Sequence, residues 1–391
     1  MSAQLVAELV DGLLAECDPA VASPEEFLGR QYDLGLAWVH FPVGFGGLGL
    51  APGLQSVVDE RLDEAGAPSA SLRNHIGHGM GGPTIVTHAP DDLKRRLLRP
   101  LFTGEEIWCQ LFSEPGAGSD LAALGTRAVR DGDDWVVNGQ KVWTSFAHVA
   151  RWGMLIARTD PSQPKHKGLT YFVVDMQAPG VEIRPLYQIT GEAEFNEVYF
   201  TDVRVPDAWR LGEVGDGWRV ALTTLMNERV AIGGRVPPRE GGMIGDVMAV
   251  WRERSIDDPV QLDRLMRLWA KAEALRLTNV RAAQLRSVGT PGPEGSIGKL
   301  VNAELNKELT DFAVTLLGAE GMLLPGGYPM ERSAHTSHWR NPAWAALRAR
   351  ANSVEGGTTE IMKNILGERV LGLAADVRVD KDRPWAEVPR S

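Results

Sequence analysis

Residue types able to do chemistry gather in four short segments of the chain. The first, Leu111-Phe-Ser-Glu-Pro-Gly-Ala-Gly-Ser-Asp120, sets Ser113 and Ser119 around a glycine-rich turn. Glycine lets backbone come close to a ligand, so turn N–H groups together with the Ser119 hydroxyl could cradle an anionic or carbonyl-rich group. A plain β-turn entering a strand accounts for the same residues. The dinucleotide fingerprint G-x-G-x-x-G fails here, because Leu121 stands where its last glycine belongs and no crossover helix follows. The second segment, Lys141-Val-Trp-Thr-Ser145, closes a strand-like run. Trp143 offers a flat π face beside two hydroxyls, which suits a planar heterocycle whose edge needs hydrogen bonds; a lone tryptophan is also a common core residue. The third, Asn227-Glu228-Arg229, interrupts an otherwise apolar helix. Glu228 is either a solvated carboxylate partnered by Arg229 or, if buried, a general base of raised pKa facing apolar substrate carbon. In the fourth, Ser353-Val-Glu-Gly-Gly-Thr-Thr-Glu360, Thr358 or Thr359 can cap a helix whose first N–H groups face a negative ligand. His75 and His78 lack a third ligand at sensible spacing, so no metal is expected.

These segments need elements to hold them. Up to residue 105 apolar positions recur at helical spacing, as in LVAELVDGLLAE and LQSVVDERLDEAG, broken by the turn chemistry of FGGLGLAPG and GHGMGGP. Residues 106–213 change to short runs rich in Val, Tyr, Phe and Trp, such as WVVNGQKVW, LTYFVVDM and VYFTDVRV. No intervening segment is long enough for crossover helices, so a mainly antiparallel sheet or barrel is expected. Residues 214–391 return to long helical patterns and read as a four-helix bundle, interrupted at GTPGPEGS (289–296) and LLPGGYP (323–329). The fold class is therefore α+β: an N-terminal helical domain, a central β domain and a C-terminal bundle.

With 391 residues and about 150 per domain, two or three domains and a sizeable core are affordable. The 41 basic and 51 acidic side chains are interspersed, which argues against nucleic acid as a partner. Two cysteines exclude a disulfide framework. The acid-bearing N-terminus lacks the basic and apolar runs of a secretory signal, and no run approaches the roughly 18 apolar residues of a spanning helix. A cytoplasmic chain without a membrane role is expected.

Taken together, Ser113-Glu-Pro-Gly-Ala-Gly-Ser-Asp120, Asn138-Gly-Gln-Lys-Val-Trp143, Asn196-Glu-Val-Tyr-Phe-Thr-Asp-Val-Arg-Val-Pro206 and Gly356-Gly-Thr-Thr-Glu-Ile361 resemble the acyl-CoA dehydrogenase family over nearly the whole chain. The resemblance implies one FAD held where the β domain meets the bundle. It implies that Phe112, Ser113 and Ser119 contact flavin and pyrophosphate, that Trp143 packs on the isoalloxazine, and that Ser145 bonds its edge. Thr358 and Glu360 approach the cofactor from the bundle, and Ser119 and Arg229 contact substrate. The implied reaction removes the α-proton of an acyl-CoA thioester while the β-hydrogen leaves as hydride to flavin N5, giving a trans-2-enoyl-CoA. The N–H of Gly356, with a ribityl hydroxyl, polarises the thioester carbonyl. Electrons then pass to an electron-transferring flavoprotein.

Many members carry the base in a Glu-Gly-Thr triplet. Here Gly356 stands immediately before Gly357-Thr358, and Glu355 lies one residue too early. Isovaleryl and long-chain types supply the base as a Glu directly before Arg on the first bundle helix, the pattern of Glu228-Arg229. Glu228 is thus the expected base and Glu355 the substitute. The family's inter-subunit Arg-x-x-x-Phe-Gly and Gln-x-x-Gly-Gly segments read Pro293-Glu-Gly-Ser-Ile-Gly298 and Thr315-Leu-Leu-Gly-Ala-Glu-Gly321, without the usual arginine and glutamine. This resembles a divergent actinobacterial branch, some of whose members work as heteromeric pairs in the breakdown of sterol or other bulky acyl-CoAs. It implies either a homo-oligomer, dimer or tetramer, or a heteromer with a second dehydrogenase-like chain. Gly233 and Gly234 suggest room for a bulky acyl group or close helix packing. Two other readings stay open: a flavin oxidase or monooxygenase on the same frame, and a non-catalytic partner subunit.

Overall fold

A computed structural model describes residues 2–232, 236–287, 294–324, 327, 330–333, 341–375, 377–378 and 380–389. The sequence expectations attached to Gly233 and Gly234, to Pro293, and to most of both glycine–proline interruptions lie outside the described residues. The chain forms two compact units: one comprises 1–186, 194–227 and 379–391, the other 187–193 and 228–378.

The first unit opens with helices α1 (Ser2–Glu16), α2 (Pro24–Asp33), α3 (Gln55–Glu64), α4 (Ala70–Arg73), α5 (Gly82–His88) and α6 (Asp91–Thr103), with a π-helical turn at Gly77–Gly81. Local chemistry sets several ends. Ser23 accepts from the Glu26 N–H ahead of Pro24, capping α2. Gly104, at φ +75°, stops α6. Buried Asn74 ties these helices to the sheet, donating to Leu101 O (2.8 Å) and accepting from Trp108 N (3.1 Å).

The sheet holds β1 (Trp108–Leu111), β2 (Arg127–Asp131), β3 (Asp134–Ser145), β4 (Trp152–Arg158), β5 (Leu169–Asp175), β6 (Val181–Pro185), β7 (Phe195–Pro206) and β8 (Arg210–Leu211). Its order is β6-β7-β3-β2-β4-β5-β8, with β1 beside β4. Pairing is antiparallel as expected, except that β1 runs parallel to β4 and β2 meets β4 in parallel at Arg127–Arg158. Every residue of β4 is buried, because both faces of the sheet are covered. One face joins the core of the N-terminal helices through Trp108, Met154 and Tyr171; the other buries Trp135, Phe172 and Phe200. The segment 380–389 lies on this unit. Trp385 donates to Ala123 O (3.0 Å), stacks under the Arg158 guanidinium, and neighbours a Lys165–Asp380 ion pair.

Helix α7 (Gly217–Ile232) starts in the first unit, and its residues from Glu228 belong to the second. That unit is helical: α8 (Met243–Glu253), α9 (Pro259–Ser287), α10 (Glu294–Leu316), α11 (Pro342–Ala349) and the short α12 (Thr359–Ile365). Its core gathers Val247, Leu268, Leu305, Leu309 and Phe312, with α10 packed against α8, α9 and α11. Among the described residues no helix is long and apolar enough to cross a membrane.

Candidate functional site

In the first unit the two hydroxyl-bearing segments are laced together. Val142 N donates to Ser113 O (2.8 Å), and the Lys141 ammonium donates to Phe112 O (2.9 Å) and to Glu114 Oε1 (2.9 Å). Lys141 is fully buried. The Glu114 carboxylate also accepts from Gly125 N (2.7 Å) and Thr126 N (2.9 Å), so one ion pair closes the loop from 112 to 126. Burial alone would raise the Glu114 pKa; the Lys141 charge and the loop's donors outweigh it and hold the carboxyl below its usual range. Within the loop Glu114 and Ala117 exchange backbone hydrogen bonds (3.1 and 3.0 Å), the space around Gly116 and Gly118 is open, and Ser119 is exposed. The Phe112 ring is buried, edge-on to Tyr171.

Trp143 is not a core residue. The β3–β7 register shifts between Lys141 and Thr144, Trp143 sits in the left-handed region at φ +59°, and the indole is 60% exposed, edge-on to Phe195. A left-handed conformation costs a bulky residue roughly 1–2 kcal/mol, and a bulge of this kind re-aims a side chain. Asn196 pins the irregularity by donating to Thr144 O (3.1 Å) and Glu194 O (3.0 Å). Of the two hydroxyls expected beside the indole, only Ser145 is partly accessible. Thr144 points inward, fully buried, and its Oγ1 has no partner among the described residues. An open turn, the exposed Ser119 hydroxyl, a partly accessible Ser145 and a largely exposed flat indole fit a flavin.

The second unit holds the remaining candidates. Gly356 (φ +61°) and Gly357 (φ +94°) are successive left-handed residues that a side chain would strain. Thr358, not Thr359, caps α12, accepting from Ile361 N (3.2 Å); Thr359 instead donates to Glu304 (3.2 Å), and Glu360 is exposed. Glu355 is engaged at both oxygens: Arg348 grips it at 3.2 and 2.9 Å, and Asn352 adds a bond of 2.8 Å. Glu228 is half-buried on α7; the Arg229 side chain lies outside the described residues. Sequence reading missed Lys299 of α10. Its ammonium donates to Asn352 O (2.9 Å) and to Gly357 O, and it lies in the field of Glu355, Glu228, Glu304 and Glu360. Burial pulls Lys299 below the usual lysine range, with those carboxylates opposing. No local signal marks it, since its partners are more than fifty residues away in sequence.

At the segment without the family's glutamine, the fold brings Arg254 from the end of α8 onto Glu320. Among the described residues no group of His, Cys, Asp and Glu could hold a metal ion. His78 is packed flat against Trp38, ring centroids 5.2 Å apart, and burial pushes its pKa down to about 4.

Three models of one family match the chain in order: the acyl-CoA dehydrogenase N-terminal domain at residues 1–105, the middle domain at 109–203 and the C-terminal domain at 215–371. Acyl-CoA dehydrogenase IpdE1 of Mycobacterium tuberculosis is 39% identical over 345 residues, covering 88% of this chain and 86% of that protein. The chain belongs to the acyl-CoA dehydrogenase family. Acyl-CoA dehydrogenase FadE34 of the same organism is 41% identical over 372 residues, and there the match covers 93% of this chain but about half (49%) of the relative's length. Among solved acyl-CoA dehydrogenase structures, the Tcur3481-Tcur3483 steroid enzyme superposes with a TM-score of 0.74 at 27% identity, over 95% of this chain and 97% of that one. The ChsE4-ChsE5 complex from Mycobacterium tuberculosis superposes at 0.70 with 28% identity, over 96% and 97%.

Proposed function

We propose that this acyl-CoA dehydrogenase family member oxidises an acyl-CoA thioester to its trans-2-enoyl-CoA, with Glu228 as the base. The observation that carries the reading is the engagement of Glu355, whose two oxygens are committed to Arg348 and Asn352. Glu228, in the field of the Lys299 cation that bonds the glycine turn, is the other carboxylate of the expected pattern. A base gripped by a guanidinium loses proton affinity and freedom to reach a substrate.

On this reading Ser113, Ser119, Trp143 and Ser145 of the first unit hold FAD, with Phe112 packed behind them. FAD, when bound, supplies the acceptor for the β-hydrogen. The chain's own residues handle the proton. The Gly356 N–H donates to the thioester carbonyl and acidifies the α-carbon, Glu228 takes the α-proton, and Ser119 and Arg229 contact the substrate. The reduced protein passes its electrons to an electron-transferring flavoprotein.

The steroid enzyme among the structural relatives supports a bulky, sterol-derived acyl group. The two-component names of that protein and of ChsE4-ChsE5 support assembly with a second dehydrogenase-like chain over a homo-oligomer. The test is the visible spectrum of the purified protein under anaerobic conditions, with short, branched, long and steroid-side-chain acyl-CoAs. A yellow protein bleached by one class is expected. Glu228→Gln should keep its flavin and lose bleaching by about 10²–10⁴-fold, and an unchanged rate would defeat the assignment. Oxygen consumption during turnover would favour an oxidase instead, and a colourless protein the partner-subunit reading.

A further inference from the structure

We propose that Lys299 is the positioning residue of this site: by stapling Asn352 O to Gly357 O it holds the Gly356 N–H at the angle from which the α-carbon is acidified. The inference rests on the Glu228 reading above and assigns to that site a residue on a different helix.

The argument begins with the turn itself. Residues 352–357 end in two successive left-handed glycines, which have no Cβ to restrict them and lose the most conformational freedom on being fixed. An N–H meant to stabilise developing charge has to be fixed in advance of the reaction, or its reorientation is charged to the barrier. The turn's own side chains cannot do this on the glycine side. Glu355 is bonded away to Arg348, and Thr358 is spent on the α12 cap. What ties the glycine end to the start of the loop is the Lys299 ammonium reaching in from α10, bonded to the Asn352 and Gly357 carbonyls.

The lysine is anchored in turn. Gly298, just before it, is buried, and a Cβ there would stand 2.9 Å from Asn279 Oδ1, so a bare backbone lets α10 close onto α9 at that point. Two turns further along α10, Lys307 donates to Ser353 Oγ (3.2 Å), holding the start of the same loop. The carboxylates facing Lys299 come from every side: Glu304 on its own helix, Glu355 in the turn, Glu360 on α12 and Glu228 on α7. Glu304 is also paired with Lys307, and Glu355 with Arg348. One cation thus fixes the donor for the carbonyl and faces the carboxylate that takes the proton.

In the step concerned, the α-C–H bond breaks, its proton goes to the Glu228 carboxylate and the electron pair moves onto the thioester oxygen. The probes are 3-thiaoctanoyl-CoA and its cyclohexyl-terminated analogue, whose β-sulfur has no hydrogen to lose. Exchange of their α-protons in D2O, followed by mass spectrometry, reads this step without flavin reduction. Lys299→Met is expected to slow exchange by about ten- to hundredfold at saturating probe, with the flavin retained. Backbone hydrogen exchange of the 350–360 segment should speed up in the same variant. Lys299→Arg, which restores a cation with several donors, should recover most of both. If Lys299→Met does not fold, Lys299→Gln carries the test: its shorter, neutral amide cannot span the two carbonyls, and a loss of the same order is expected. Wild-type exchange rates in Lys299→Met, or a slow α-proton with an unaltered 350–360 segment, would overturn the proposal. Wild-type exchange in Glu228→Gln would instead overturn the base assignment.

Discussion

Replacing Lys141 with methionine tests how the flavin-side loop is built. The ammonium is fully buried and its partner Glu114 is 11% exposed, at 2.9 Å. Lys141→Met removes the charge but keeps most of the apolar stem. It leaves Phe112 O without its donor and strands a carboxylate on two backbone N–H groups. Breaking a buried pair from one side costs about 3–5 kcal/mol; the two remaining donors place this case near 3. Against a whole-domain stability of about 5–15 kcal/mol, that is a large fraction. Adding Glu114→Gln removes the stranded charge, so the double variant should cost less than the two single changes summed, by at least about 1.5 kcal/mol. Urea unfolding followed by tryptophan fluorescence reads the stability, and flavin content reads the loop. A loss under about 1 kcal/mol, or strict additivity, would refute the reasoning. The pH dependence has a definite sign. The Glu114 carboxyl is held below 4.5, so its contribution is present above that pH and is lost as pH falls through the lower folded-state value. This acid limb should be absent from Lys141→Met.

Glu355→Gln should lower stability by about 1 kcal/mol by releasing Arg348, yet leave anaerobic flavin reduction within about threefold of wild type, since general-base losses are about 10²–10⁴-fold; a loss of that size in stopped-flow spectra would transfer the base role from Glu228. Trp143→Gly relieves a left-handed residue whose indole is 60% exposed, so the unfolding free energy of the flavin-free protein in urea should be unchanged or up to about 1 kcal/mol higher. Its flavin content should fall sharply, and a retained flavin would contradict the platform reading. For His78 the folded pKa, about 4, lies below the usual 6.5 of a histidine, so the unfolded chain binds the proton first. Stability should fall from pH 6.5 towards 4 by at most about 3 kcal/mol, and His78→Phe should flatten that limb in urea titrations at successive pH values.

The order of helices, strands and helices was legible because hydrophobic periodicity is local: LVAELVDGLLAE and LTYFVVDM declare their elements without reference to the rest of the chain. Family membership was legible for a related reason. The Ser113–Asp120 and Gly356–Ile361 segments carry backbone demands, a tight turn and two left-handed glycines, that few residue types meet. Tertiary structure decided how those segments are held. Trp143 reads as core or platform until a register shift against β7 turns it outward, and that shift is a property of two strands some fifty residues apart. Thr144 and Ser145 look equivalent until the same shift buries one of them. Glu355 looks like a spare base until Arg348 and Asn352 close on it, and Lys299 looks like one more helix lysine until two distant carbonyls meet it. Sequence records which groups a chain owns and which backbone shapes it tolerates. Which cation meets which carboxylate, and which donor is held still, follows from packing, because a hydrogen bond is decided by tenths of an ångström between residues whose separation along the chain carries no information about their distance in space.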